Sequence, residues 1–365
     1  MKNSISVENN RELYNNIFYM LLYAWERIDL KLLDKINVAK EDYDNFPTFL
    51  VWILSNLLSK LIKKGLEKNY DTFVDDLSFS RGKIMIKNTM NNMLRKKLKL
   101  NCQYDILNSN TLNNQIIKTT LYLLLKSEYR KSIINKKEII KNIEILYNYF
   151  HDVELIKLNK NTFKKVILHR NNKHYDIVIK ICEFIYNNYL IYESDKYDEK
   201  IINILDDETK MSTIFEEFVL NYYKTKLKNA LVKRENIYWS WSKNILEGDE
   251  NLIPKMQTDT SIELGNKKII IDTKYYKKAL SKNYDKEKFI SSNLYQINSY
   301  LTNYILNKKE KLELVGILLY PEVGSEINFC AENKKTIKYK ICVKTIDLNK
   351  HWTNIEKRLN TLIKI

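Results

Sequence analysis

Pro254-Lys-Met-Gln-Thr-Asp259, followed thirteen residues on by Asp272-Thr-Lys274, is the stretch on which the reading of this chain turns. Two strand-like runs, Lys255 to Leu264 and Lys268 to Tyr276, are joined by Gly265-Asn266, a two-residue hairpin signal. With that turn Leu264 faces Lys267, and counting outward along both strands brings Asp259 opposite Asp272. Residues i and i+2 share a strand face, so Asp272 and Lys274 emerge side by side. Two facing carboxylates repel, and a sheet gains no stability from such a pair. A hard divalent cation resolves the conflict, because Mg²⁺ takes carboxylate oxygens and keeps several waters. Lys274 beside it would lower the pKa of a metal-bound water or stabilise charge on an attacked phosphate. The flank Ile269-Ile270-Ile271 reads as buried strand, which puts the charged trio at the end of an apolar element. The spacing alone also fits an exposed hairpin with an incidental ion pair, since D-x-K is short and common.

Outward from this hairpin the pattern is that of an α/β domain with a mixed sheet, spanning 208–365. Thr213 with Glu216 three residues later forms a capping-box signal for a helix from Thr213 to Lys226. Its apolar face is Ile214, Phe218, Val219 and Tyr222. Ile237 to Trp241 reads as a strand, Lys286 to Leu306 as a long helix, and Leu314 to Tyr320 as an apolar strand stopped by Pro321. Tyr339 to Ile346 gives another strand, and Trp352 to Ile363 a closing helix.

Residues 1–200 read as mainly helical with a small β element. Ile17, Leu21, Ala24, Trp25 and Ile28 recur at helical spacing, and Pro47 opens a helix through about Lys64. Thr72 to Lys87 is strand-like, with a turn at Ser80-Arg81-Gly82-Lys83. Helical periodicity resumes at Ile116 to Leu124, at Ile139 to Phe150 and at His174 to Leu190. The polar, acid-rich stretch Tyr192 to Lys210 marks the boundary between the two parts.

Composition removes several classes. At 365 residues, 44% hydrophobic and 29% charged, the chain is neither disordered nor a membrane protein, and it has length enough for two cores. The apolar run Ile17 to Trp25 is too short to span a bilayer and lacks a basic leader, which places the protein in the cytoplasm. Cys102, Cys182, Cys330 and Cys342 lie far apart with no C-x-x-C pair, and read as reduced, mostly buried thiols. No P-loop and no G-x-G-x-x-G occurs. The net charge of +16 invites a polyanion, but 53 lysines against eight arginines is what an A/T-rich genome imposes on any protein. The excess is +7 over residues 1–207 and +9 over 208–365, so it singles out neither half.

The D…D-x-K hairpin after a Glu-bearing helix resembles the PD-(D/E)XK nuclease core. More narrowly, the chain resembles the McrC family, the nuclease subunit of GTP-dependent modified-cytosine restriction systems. Asn16-Ile-Phe-Tyr-Met-Leu-Leu-Tyr-Ala-Trp25 is similar to that family's opening N-I-Y-Y-M-L-x-Y-A-W. Arg81-Gly-Lys-Ile84 fits its R-G-x-I turn, and Cys102-Gln-Tyr-Asp105 with Asn113-Asn-Gln-Ile-Ile-Lys118 fits its next block. His174-Tyr175 after Arg170, Phe215-Glu-Glu-Phe-Val219, Leu294-Tyr-Gln296 with Tyr300, and Leu319-Tyr-Pro321 complete a series over residues 14 to 321. The first acidic position departs from the superfamily spelling: Pro254 precedes Asp259 by five residues rather than one, which also suits the McrC variant.

The resemblance implies a DNA endonuclease subunit of a type IV, McrBC-like restriction system, a hydrolase of phosphodiester bonds. Asp259 and Asp272 would hold Mg²⁺ (or Mn²⁺), Lys274 would serve the attacking water, and Glu216 would match the Glu of the first helix. Gln296 and Tyr300 would support the site or touch the DNA backbone. The N-terminal region would engage and stimulate a McrB-like hexameric AAA+ GTPase, with Arg81 a candidate contact. GTP would be bound by that partner, as would the methylated base in double-stranded DNA. A non-cleaving regulatory adaptor of the same partner and a stand-alone repair nuclease are the alternatives.

Overall fold

The structure, a computed structural model, describes residues 8–27, 43–126, 136–190, 204–242, 244–276, 280–283, 286–308, 312–333 and 338–364. The chain folds as two compact units, one of residues 45–201 and one combining 1–44 with 202–365. The division at 1–200 and 208–365 read from the sequence thus differs at the N-terminus, and the cause lies in the first helix. Helix α1 (Glu8–Ala24) buries Phe18, Tyr19, Leu22 and Tyr23. Tyr19 packs 4.8 Å from Trp352, Tyr23 lies 5.6 Å from Phe218, and Asn16 Nδ2 donates to the carbonyls of Leu348 and Lys350, both at 2.8 Å. Ile28, on the helix read from the sequence, and much of the acid-rich boundary stretch lie outside the described residues.

In the 45–201 unit, α2 (Phe46–Lys64) starts where Asn45 accepts from Thr48 N and Pro47 occupies the first turn. Its length and composition would suffice to cross a membrane, but Phe46, Phe49, Leu50, Leu54, Leu58 and Leu61 are buried inside this unit, as in a core helix. The β element is larger than expected. Strand β1 (Asn69–Leu77) pairs antiparallel with β3 (Leu100–Asn108), and β2 (Lys83–Ile84) borders the other side of β3. Gly82, at φ +67°, turns the chain where a Cβ would run into the Gln103 carbonyl. The strand-like reading to Lys87 overshoots, because α3 (Ile86–Leu94) begins there.

Helices α4 (Leu112–Lys126), α5 (Lys137–Asn148), α6 (Lys160–Lys164) and α7 (Asp176–Ile185) complete this unit. Its motif residues form one polar knot. Glu67 accepts from Thr111, Asn113 and Asn172, and Tyr175 OH accepts from Glu67 N and donates to Asn114 Oδ1. Lys118 Nζ donates to the Val153 carbonyl at 2.5 Å.

The other unit is built on a six-stranded mixed sheet among the described residues, in the order β12-β13-β11-β8-β7-β4. The strands are β4 (Leu231–Lys233), β7 (Thr260–Leu264), β8 (Lys267–Thr273), β11 (Glu313–Pro321), β12 (Asn328–Asn333) and β13 (Tyr339–Ile346). The hairpin β7–β8 has the expected register, Leu264 opposite Lys267 and Thr260 opposite Ile271. Parallel pairing of β8 with β11 and of β11 with β13 buries the apolar runs on both faces. Short strands β5 (Asn236–Ile237) and β6 (Met256–Gln257) form a separate pair. Helices α8 (Glu208–Lys226), α9 (Ser291–Asn307) and α10 (Trp352–Leu362) complete the unit. This is the expected α/β class: helices flanking a mixed central sheet, and a mostly helical region, here carrying a three-stranded sheet.

Four local expectations are corrected. Helix α8 starts five residues early, because Asp207 caps it by accepting from Lys210 N, while Thr213 Oγ1 donates back to the Thr209 carbonyl inside the helix. The stretch from Lys286 is not helical at first: β10 (Lys286–Phe289) pairs with β9 (Leu280–Asn283), and α9 begins at Ser291. The strand expected to reach Trp241 ends at Ile237, and the chain turns as Ser242 N donates to the Trp239 carbonyl. Cys330 and Cys342 are not free thiols. They face each other across β12 and β13 and form a disulfide, whereas Cys102 and Cys182 are free and buried.

Candidate active site

Asp272 lies near the C-terminal end of β8, an interior strand of the six-stranded sheet, paired with Leu318 on β11, and is fully buried. Its Oδ2 stands 3.0 Å from the Lys274 ammonium, and among the described residues neither carboxylate oxygen accepts a well-aligned hydrogen bond. Burial, with the Asp259 charge added, pushes its pKa up to about 7 against the pull of Lys274. Lys274 is fixed by its own main chain, whose N–H donates to the Leu319 carbonyl at 2.9 Å. Burial alone would lower the Lys274 pKa, but Asp272 and then Asp259 outweigh it and raise it. Lys274 is therefore an ammonium at neutral pH.

Asp259 lies in a bend just before Thr260, where the paired part of β7 begins, so the strand pairing expected to set it opposite Asp272 stops one residue short of it. Its Oδ2 accepts from Thr273 N at 2.7 Å and from Thr273 Oγ1 at 2.8 Å, so the carboxylate reaches across to the neighbouring strand. Glu216 comes from α8. Burial and the Asp259 charge raise its pKa, and Arg234, whose Nη2 donates to Glu216 Oε1 at 2.7 Å, opposes the rise. The structure thus brings Asp259, Asp272, Lys274 and Glu216 into one electrostatic cluster.

Gln296 and Tyr300 stand behind it. Gln296 Nε2 donates to Tyr300 OH at 2.8 Å, and Tyr300 OH donates to the Gln257 carbonyl at 3.0 Å, two residues before Asp259. The pair holds the strand that delivers Asp259. Arg81 belongs to the 45–201 unit, where its guanidinium stacks 4.2 Å over the Tyr104 ring.

Sequence reasoning missed Thr273, Arg234, Glu217 and the Asn293 Nδ2 to Tyr320 OH bond (2.9 Å) beside the cluster. Among the described residues no group of three His, Cys, Asp or Glu forms a ready-made metal site. The two aspartates still fit a Mg²⁺-type ion, which binds through one or two carboxylates plus waters and phosphates, and Asp272 Oδ1, which accepts no hydrogen bond among the described residues, is suited to it.

A buried strand ending in Asp-x-Lys, a second aspartate just before its hairpin partner and a Glu-bearing helix in the same unit are the arrangement that the resemblance to the PD-(D/E)XK core implied. Residues 3–321 match the family described as McrBC 5-methylcytosine restriction system component, and the chain belongs to that family. It is 29% identical over 344 residues to the type IV methyl-directed restriction enzyme EcoKMcrBC of Escherichia coli K12, covering 94% of this chain and 95% of that protein. It is 28% identical to the DNA-directed RNA polymerase subunit beta'' of Euglena longa, of which the match covers 38%. In fold it is similar to a chain of the Thermococcus gammatolerans assembly of McrB AAA+ hexamers with bound McrC. That match has a TM-score of 0.66 and 15% identity, over 96% of this chain and 76% of that one.

Proposed function

We propose that this protein is the DNA-cutting subunit of a GTP-dependent, type IV restriction system directed at modified cytosine, working in the cytoplasm. The observation that carries the proposal is Asp272, fully buried, ion-paired through Oδ2 to Lys274 and under the charge of Asp259, in a member of the McrBC family. Asp259 and Asp272 would hold Mg²⁺ or Mn²⁺. The cation, once bound, supplies Lewis-acid stabilisation of phosphate charge and a more acidic water. Lys274, held as an ammonium, stabilises negative charge on the attacked phosphate rather than taking a proton. Glu216, with its raised proton affinity, is suited to accept the proton of the attacking water.

The partner would be a McrB-like hexameric AAA+ GTPase, which binds GTP and selects methylated double-stranded DNA. Two observations on the 45–201 unit support docking there. Ile86, Leu94 and Leu98, on α3 and the segment just after it, are each more than 70% exposed, apolar side chains left to solvent on one short stretch of the chain. Arg81 lies on the turn before β2.

Mixing the purified chain with the GTPase, GTP, Mg²⁺ and methylated DNA should give double-strand cleavage that omission of GTP or Mg²⁺ abolishes. GTPase stimulation without any Mg²⁺-dependent cutting would favour a non-cleaving adaptor. Cutting without the motor would favour a stand-alone nuclease.

A further inference from the structure

Arg234 lies between β4 and β5, and its Nη2 donates both to Glu216 Oε1 at 2.7 Å and to Glu217 Oε1 at 2.8 Å. The next residue grips the other acid-bearing segment. Glu235 N donates to Thr258 Oγ1 at 3.0 Å, and Thr258 N donates back to the Glu235 carbonyl at 2.9 Å, one residue before Asp259. The Glu235 side chain is itself anchored, accepting from Ser261 Oγ at 2.9 Å and from the buried Lys268 ammonium at 2.5 Å. Lys268 sits four residues before Asp272 on β8 and reaches Glu263 Oε1 at 2.6 Å with a second proton.

Two consecutive residues therefore brace α8 against the β6–β7 corner. Charge networks of this kind contribute little net stability once desolvation is counted, and what they fix is geometry. Glu217 gives the Arg234 guanidinium a second anchor on α8, through the same nitrogen that holds Glu216.

We infer that Arg234 is a positioning residue for the cleavage reaction, setting the direction of the Glu216 carboxylate relative to Asp259 and Asp272. This rests on the function proposed above. The test uses the full chain, alone for Mn²⁺ binding by electron paramagnetic resonance, and with the GTPase, GTP, Mg²⁺ and methylated DNA for kcat and KM.

Arg234→Gln should lower kcat about tenfold, the size of effect expected from one charge-assisted hydrogen bond, with KM for DNA changed less than about twofold. Mn²⁺ binding should weaken several-fold. Arg234→Lys, whose ammonium can still reach Glu216, should recover most of both losses. Unchanged kcat and Mn²⁺ affinity in Arg234→Gln would overturn the inference. Should Arg234→Gln not fold, Arg234→Lys decides: a loss as deep as that of Asp272→Asn overturns it, and near-wild-type cutting upholds it. Asp272→Asn separates the two claims. If it cuts like wild type, the reaction itself is misassigned; if it is inactive while Arg234→Gln is normal, the positioning role alone fails.

Discussion

A fully buried carboxyl with a second aspartate beside it keeps its proton into the neutral range, and Asp272 is in that position. The sign of the consequence is fixed by linkage. The unfolded chain releases this proton in the ordinary carboxylate range, while the folded chain holds it up to about 7, so folding is penalised progressively as pH rises between the two. In metal-free protein Asp272→Asn, whose amide oxygen still faces Lys274, should melt higher than wild type at pH 8, by several degrees. The two should converge near pH 4, and thermal melts across pH check it. Mg²⁺ should raise the melting temperature of wild type and leave Asp272→Asn unmoved, because only a ligand of the folded state stabilises it. At this scale the sequence was informative: Asp259, Asp272 and Lys274 followed from a hairpin turn and a count along two strands. Arg234 and Thr273 were hidden, since their roles depend on contacts made across elements rather than on spacing.

Among the elements, β11 and α9 approach closely enough to need Gly316. A Cβ there would lie 2.8 Å from both Ile297 Cγ1 and Leu301 Cδ1 in a filled core. Gly316→Ala should therefore cost about 1–3 kcal/mol by overpacking, measurable by denaturant unfolding. The β12–β13 pair makes its own prediction: thiol titration of unfolded, unreduced protein should find two reactive cysteines, and four after reduction. The long periodic helices and the apolar strands β8, β11 and β13 were legible because each buries a repeating pattern. The ribbon β9–β10 and the edge strand β12 were not, for they are short, polar and defined by their pairing partner. Cap competition hid the start of α8: Asp207 and Thr213 both spell a cap, and only Asp207 takes the extended backbone that one requires.

The whole molecule divides where contacts end rather than where composition shifts. Residues 45–201 are continuous in sequence and should fold as an isolated fragment with cooperative melting. Residues 202–365 alone should not, because they lack α1 and would expose Phe218, Tyr222 and Trp352, the rings it covers. Adding residues 1–44 in trans should rescue them, and circular dichroism of the three samples decides. The +16 charge is spread along the chain; with the proposed function it would add salt-sensitive attraction for DNA without locating it. On the 45–201 unit, Arg81→Ala should reduce stimulation of the partner GTPase several-fold while leaving the melting temperature within a few degrees, since Arg81 is exposed and packs only on Tyr104 among the contacts described.

The account rests on Asp272 being the centre of a phosphodiester-cutting site. Cleavage of methylated DNA and GTP hydrolysis, recorded together for the complex carrying wild-type chain or Asp272→Asn, test this most directly. The expected result is GTP hydrolysis at the wild-type rate with cleavage abolished; cleavage at the wild-type rate by Asp272→Asn would contradict it.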